Sequence, residues 1–291
     1  MHHTRRITPF DIVNTAFIAF CVFMCLAPFV HIASVSFSSG GAILAGKVTL
    51  FPVEFTAEAY RSVFNDKMMV RSLVFTVALT VMFTVSSLAM TIFAAFPLSH
   101  MKLKGRRLFM LFIIFTMFFS GGLIPDYLLV KSLGLLDKMA VLILPGLISP
   151  FNMIIMITFF RSTIPDSLHE AAEIDGCSHF GKLFRIVLPL SLPVIATLSL
   201  FYAVGRWNGF RDSLFYITDQ NLYPLQLKLY QMVMNNMISE ITATEGANLQ
   251  LTIPESLKAA SIMFATVPIL IVYPWLQRYF VSGMTLGSVK E

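Results

Sequence analysis

Runs of about twenty apolar residues, each long enough for a helix to cross the hydrocarbon core of a bilayer, recur six times along this chain. By hydropathy they fall at 12–37, 70–98, 108–128, 140–160, 190–210 and 259–280. A soluble surface helix would alternate such residues with polar ones every three or four positions, and these runs do not. The composition agrees: 56% of the 291 residues are hydrophobic and 13% charged, with a mean hydropathy of +0.76. The expectation is an all-α, polytopic membrane protein whose single transmembrane domain fills 1–291 with six helices. The first run is too long for a signal-peptide core and lacks a small-x-small cleavage site, so it reads as a retained first helix.

Between the spans lie connectors at 38–69, 99–107, 129–139, 161–189 and 211–258, with a tail at 281–291. With the N-terminus placed inside, the inner segments carry eleven basic against six acidic residues, and the longer outer segments carry ten of each. The positive-inside rule therefore puts both termini, the 99–107 loop and the 161–189 loop in the cytoplasm, with 38–69 and 211–258 outside. This topology also accounts for the net charge of +5, because the basic residues form no stripe interleaved with aromatics of the kind that binds nucleic acid. Pro28, Pro97, Pro145, Gly146, Gly205, Pro268 and Pro274 interrupt the spans, which membrane helices tolerate where neighbours or cavity water satisfy the freed backbone.

Chemistry-bearing motifs are scarce. Cys21, Cys25 and Cys177 have no metal-ligand spacing and read as packing residues, and no metal site is expected. His31 reads as hydrogen-bonded within the bundle. The stretch from Gly41 to Val48 fits GxxxxGK, but Val48 stands where the Mg²⁺-binding Ser or Thr belongs, and no buried strand precedes it. The spans hold no nucleophile with a base, no HExxH and no paired carboxylates, which argues against a membrane-embedded enzyme and for no catalytic residues.

The informative segment is the fourth connector. Thr163 and Asp166 resemble a capping box, residues 167–175 contain no helix breaker, and Gly176 stands where a left-handed residue ends a helix. On that short helix Ala171 and Ala172 permit close approach, and Glu170 and Glu173 can pair with basic groups of a partner. After Gly176 an amphipathic stretch through Phe180, Leu183, Phe184 and Ile186 leads to Pro189. The alternative is a surface helix lying on the membrane.

The order Glu170-Ala171-Ala172, three residues, Gly176, nine residues, Ile186, one residue, Leu188-Pro189 resembles the EAA motif of ABC importer permeases. Ser120–Gly146 (SGGLIPDYLLVKSLGLLDKMAVLILPG), Trp207–Tyr216 (WNGFRDSLFY) and the ending SGMTLGSVKE resemble permeases of maltose-type carbohydrate importers, of the subunit type called MalG. This resemblance implies the type I (MetI-like) permease fold in the bacterial inner membrane. It implies that Glu170, Ala171, Ala172, Asp175 and Gly176 contact an ATPase subunit, and that the tail, through Gly283, Gly287 and Lys290, makes a second contact. The implied partners are a second homologous permease, two ATPase subunits that hold the ATP and Mg²⁺, an extracytoplasmic solute-binding protein meeting Tyr216–Lys258, an oligosaccharide and membrane lipid. No cofactor is expected in this chain. The SGGLIP and WNGF segments look most like permeases for acidic oligosaccharides of the alginate or pectin type. Amino-acid and peptide importers share EAA loops and remain the alternative.

Polar residues within spans face a cavity or a partner helix. Asn152, Arg206, Trp207, Asn208 and Arg211 are thus candidates for the substrate pathway. Arg206 and Arg211 could attract an acidic sugar and Trp207 could stack on a pyranose ring, the alternative being snorkelling and an aromatic belt at the interface.

Overall fold

The computed structural model describes residues 8–244 and 254–285, and all regular structure among the described residues is helical. Three helices are individually long and apolar enough to cross a membrane: α1 (Pro9–Ser36), α4 (Lys67–Ser99) and the last helix, of which Glu255–Val272 qualifies. Near the other three expected spans, bent pairs of helices pass the same test together, which gives up to six candidates if each pair is one span.

The bends depart from the continuous helices expected at 108–128, 140–160 and 190–210, and each has a local cause. Two helices, α5 (Arg106–Phe118) and α6 (Leu123–Ser132), meet at 116°. Gly122, between them, has φ 93° and ψ 167°, a conformation open essentially only to glycine. In the next span two 3₁₀ turns, Met139–Leu142 and Leu144–Gly146, precede α7 (Pro150–Thr163) at 48°. Pro150 opens α7, where its missing N–H costs nothing, and the Ser149 hydroxyl caps the turn by accepting from Asn152 N at 3.4 Å. After α8 (Asp166–Ile174), α9 (His179–Leu190) meets α10 (Leu192–Asn208) at 82° beside Ser191, flanked by Pro189 and Pro193.

The chain divides into two units. One comprises Met1–Val70 with Leu229–Val267. Its α1 is opened by a capping box: Asp11 N donates to the Thr8 hydroxyl at 3.3 Å while Thr8 N donates to the Asp11 carboxylate at 2.8 Å. The chain buries only Ser34, Val35 and Ser36 of this helix. The following connector, with α2 (Gly40–Leu44) and α3 (Glu58–Asn65), is stitched to that last turn. Ser34 donates to Leu50 O (2.7 Å), Ser38 Oγ accepts from Val53 N (3.0 Å), and Phe37 stacks on Phe55. His31 donates from Nδ1 to Thr49 O at 2.7 Å, since a carbonyl can only accept. The GxxxxGK stretch is α2 and its turn, with no strand before it.

The other unit, Arg71–Lys228 with Pro268–Glu291, is organised on α4. At one end of α4, Ala95, Phe96 and Leu98 pack with Met156, Ile157 and Phe160 of α7, Leu183 and Val187 of α9, and Leu198 of α10. Nearer its start, Leu79 packs with Val130, Val141, Leu142 and Ile217. The segment expected as a plain outer loop at 211–258 holds α11 (Arg211–Tyr216) and α12 (Leu225–Thr244). It is pinned by Asp137, whose carboxylate accepts from the backbone N–H of Thr218 and of Asp219 (2.8 Å each) and from the Thr218 hydroxyl (2.7 Å). These bonds hold the Asp137 carboxyl below its ordinary pKa, the Asp219 amide contributing most. The final helix, α13 (Glu255–Thr285), carries Pro268 and Pro274.

Gly146 shows how closely this unit is packed: a Cβ there would lie 2.9 Å from the Phe83 ring. That ring cannot easily retreat, because Tyr202 sits edge-on to it and the Arg206 guanidinium lies 5.7 Å above its centroid. Gly146→Ala is expected to destabilise the protein by about 1–3 kcal/mol through overpacking, read as a lowered thermal midpoint in detergent, with Phe83→Leu restoring part of the loss.

Candidate functional site

The short helix α8 is delimited more sharply than a capping box would make it. Ile164 precedes Pro165, which pushes it into the extended region (φ −115°, ψ 103°) and stops α7 at Thr163. Thr163 is therefore the last residue of α7 and not a cap for α8, a correction to the capping-box expectation. Pro165 occupies the N-cap with no side-chain hydrogen bond, and Asp166 is left as the acidic residue of the first turn.

The C-terminus closes as the glycine predicts. Gly176 has φ 72°, its N–H donates to Glu173 O (3.0 Å), and Cys177 N donates to Ala172 O (2.9 Å). This pair of bonds is the Schellman arrangement, which satisfies orphan carbonyls and turns the chain abruptly toward α9. A second tie reinforces the turn. Lys182 of α9 is buried to 3% exposure and its ammonium reaches the exposed Glu173 carboxylate at 3.1 Å. The hydrogen bond and the charge of Lys182 hold the Glu173 carboxyl below its ordinary pKa. The short helix and the elbow behind it are thus linked at both backbone and side-chain level.

Two faces of α8 have separate tasks. Leu168 and Ala172, four apart on α8, turn inward, and Leu168 packs with Ile164, just before the helix, against the core at the end of α4. Ala172, also expected to meet a partner, is 6% exposed, and its small side chain seats the helix. Glu170, Ala171, Asp175 and Gly176 are exposed, and so is Ile174 at 87%. Ile174 was missed by sequence reasoning although it follows Glu170 and Ala171 by four and three residues, the spacing that puts it on their face. Glu170 makes a 3.4 Å ion pair with Lys102 of the 99–107 loop, with both side chains largely in solvent, so it remains available.

His169 lies against the end of α4. Its ring is 4.6 Å from that of His100, which stands edge-on to Phe96 and donates from Nδ1 to Phe96 O at 3.0 Å. Burial, then the charges of His100 and Lys182, push the His169 pKa down, with Asp166 opposing. Its neutral form is the one the packing favours.

The expected pathway residues have different fates. Arg206 is 7% exposed and engaged through both terminal nitrogens: one donates to Leu142 O at 2.9 Å and to Asp212, the other to Asp212 Oδ1 at 3.0 Å. Its charge, expected as a candidate to attract an acidic sugar, here staples α10, α11 and the 3₁₀ turn at Met139–Leu142 together. Trp207 is buried and, with Thr80 of α4 and Pro268, lines an apolar cavity of about 270 Å³. Asn152 is buried in the first turn of α7. Asn208 is exposed and donates to Val204 O at 3.0 Å, and Arg211 is exposed at the start of α11. Of the tail residues, Gly283 falls in the last turn of α13, while Gly287 and Lys290 lie outside the described residues.

A row of hydroxyls on α4 escaped sequence reasoning. Ser72, Thr76, Thr80, Thr84, Ser87 and Thr91 recur every three or four residues, so they share one face. Thr91 bonds Tyr202 OH (2.7 Å) and Thr76 accepts from Leu225 N (2.8 Å), whereas the buried hydroxyl oxygens of Thr80, Thr84 and Ser87 have no partner among the described residues. Their period was legible in the sequence.

Comparison with known proteins gives concordant results. The family described as binding-protein-dependent transport system inner membrane component matches residues 74–286. The chain is 45% identical to Protein LplC of Bacillus subtilis (strain 168), over 100% of this chain and 98% of that protein. It is 42% identical to the polygalacturonan/rhamnogalacturonan transport system permease protein YtcP of the same strain, over 97% and 98% of the two chains. Among solved structures, a chain of a bacterial ABC transporter involved in the import of the acidic polysaccharide alginate superposes with a TM-score of 0.85 at 34% identity, covering 95% of this chain and 100% of that one.

Two predictions test the α8 geometry and one tests the staple. Gly176→Val should cost about 1–2 kcal/mol from the positive φ alone, as nothing crowds a Cβ there, and Gly176→Asn should cost less; hydrogen-exchange protection of residues 166–177 reads both. Because the folded His169 pKa lies below the unfolded value, folding is fully favoured above that value and loses stability as pH falls through it. Protection of α8, corrected for intrinsic exchange, should drop between pH 7.5 and 5.5, and His169→Gln should flatten that drop. Asp212→Asn, which strands a buried guanidinium, should destabilise by about 3–5 kcal/mol, and the loss of thermal midpoint should be smaller when Arg206→Met is added.

Proposed function

The chain belongs to the family of binding-protein-dependent transport system inner membrane components, and from that premise we propose that it is one of two pore-forming subunits of an importer that carries an acidic oligosaccharide across a bacterial inner membrane. As a permease subunit of an ABC importer it performs no catalysis of its own. ATP and Mg²⁺ are held and turned over by two separate ATPase subunits, a homologous permease completes the pore, and a solute-binding protein delivers the sugar to the outer side.

The observation that carries this reading is the construction of α8. A helix seated by Leu168 and Ala172, closed at Gly176 and tied to α9 by Lys182–Glu173 presents Glu170, Ala171, Ile174 and Asp175 outward. Such an element is rigid enough to pass a push from a docked partner into α9 and, through Leu183 and Val187, into the packing at the end of α4. ATP-driven closure of the ATPase pair then biases the spans between inward- and outward-facing arrangements, the partners setting the equilibrium. Both termini are cytoplasmic in this reading, and the tail with Gly283, Gly287 and Lys290 adds a second ATPase contact.

Support for the substrate class comes from the relatives: one is named for polygalacturonan and rhamnogalacturonan transport, and a solved structure similar over almost the whole chain comes from an alginate importer. The exposed Arg211 and Asn208 and the partnerless hydroxyls of α4 are the groups in this chain suited to sugar hydroxyls and carboxylates.

The test is co-purification of the tagged chain from its native membrane. Wild type should bring down an ATPase and a second permease, and Glu170→Ala with Ile174→Asp should lose the ATPase while keeping the permease. The assembled complex should hydrolyse ATP faster with oligogalacturonide and loaded binding protein than with a neutral maltooligosaccharide. An ATPase indifferent to both substitutions would remove α8 as the docking element, and equal stimulation by the two sugars would remove the acidic assignment.

A further inference from the structure

Beside the docking helix is a cleft that the transport reading does not use. It measures about 600 Å³ and lies between the end of α4 with its following loop and the start of α9. Its walls are Phe93, Phe96 and Leu103 on one side and Phe180 on the other, with Lys102 and His179 at the rim. Phe180 is 69% exposed and Lys102 is almost fully so. An apolar trough of this size open to solvent is costly to leave uncovered.

Two features identify the occupant. The first is charge segregation. The α4–α5 loop carries Lys102, Lys104, Arg106 and Arg107, and no carboxylate occurs from residue 100 to Asp126. The α9–α10 stretch likewise has none between Asp175 and Asp212. Every acidic residue of this region, Asp166, Glu170, Glu173 and Asp175, belongs instead to α8 and its cap. No carboxylate lines the cleft, whose polar lining is Lys102, His100 and His179, although Glu170 reaches Lys102 from α8 at 3.4 Å. The second feature is orientation. Helix α9 meets α10 at 82°, so when α10 crosses the bilayer α9 runs close to the membrane plane. It then presents Phe180 and Phe184, both exposed, with Arg185, in the manner of an interfacial helix.

We infer that this cleft binds an anionic glycerophospholipid, its acyl chain lying along Phe93, Phe96, Leu103 and Phe180 and its phosphate meeting Lys102 and His179. Lys102 can serve both this phosphate and Glu170, because an ammonium has three donors and its pair with Glu170 is long at 3.4 Å. Occupancy links the lipid to the acidic docking helix through one side chain. Basic pockets at the ends of spans are suited to this ligand chemistry.

The experiment uses the full chain in neutral detergent, with dioleoyl phosphatidylglycerol, dioleoyl phosphatidylcholine or glycerol phosphate added, and reads the thermal midpoint and the number of lipids retained in native mass spectrometry. Phosphatidylglycerol should raise the midpoint by about 3 °C or more and leave one retained lipid, with no shift from the other two. Lys102→Gln with His179→Gln should abolish the selectivity while leaving the lipid-free midpoint in place, and Phe180→Ser should weaken retention of the lipid. Equal shifts from the two lipids, a shift from glycerol phosphate alone, or unchanged selectivity in the double variant would overturn the assignment. So would loss of the retained lipid when the ATPase subunits are seated, which would give the cleft to the ATPase.

Discussion

A peptide group in hydrocarbon must find its hydrogen bond within the protein, and the architecture of this chain is a set of answers to that demand. Helices α1 and α4 answer it by remaining single helices, interrupted in their ladders only by Pro28 and Pro97. The three bent pairs break the ladder at defined places, and backbone groups there find local partners: Gly122 N donates to the Ser120 hydroxyl in the first, Ser149 caps α7 and Arg206 donates to the Leu142 carbonyl in the second, and Ser191 N donates to Leu188 O in the third. A cation inside a span thus serves as a hydrogen-bond donor for backbone that has left the helix. Its own charge is offset by Asp212, which is why Arg206 is a structural residue here despite the usual association of buried charge with a pathway.

Hydropathy alone located six apolar stretches that the long or paired helices overlap, because the bilayer demands length and apolarity and both are visible in one dimension. It could not separate a straight span from a bent one. The glycines and prolines at 121, 122, 145 and 189 were visible, but whether such residues kink, break or merely decorate a helix depends on what neighbours satisfy the freed groups. The region at 211–258 reads as polar, so hydropathy assigns it to a loop, yet Leu225–Thr244 contains no Gly or Pro and is helical.

The docking element shows the same division. Its existence and its end at Gly176 were written in the spacing, since a left-handed cap is a local property of the chain. Which of two adjacent alanines faces outward was not, because that depends on where the end of α4 lies. Ala171 and Ala172 differ by one position and by the difference between surface and core. Lys182, counted as one more cytoplasmic positive charge, is instead a buried arm that fastens Glu173. The staple made by Arg206 was not legible for a related reason: its partner Asp212 stands just beyond the span boundary.

That short separation bears on how the protein reaches its membrane. An arginine presented alone to the middle of a bilayer resists insertion by about 2.5–3.5 kcal/mol. With Asp212 only six residues further along the same chain, the neutralising group leaves the ribosome almost together with the cation it quenches. The fifth span can therefore enter lipid as a neutral hairpin tip, and the donation to Leu142, encoded 64 residues earlier, is completed afterwards between segments already in place.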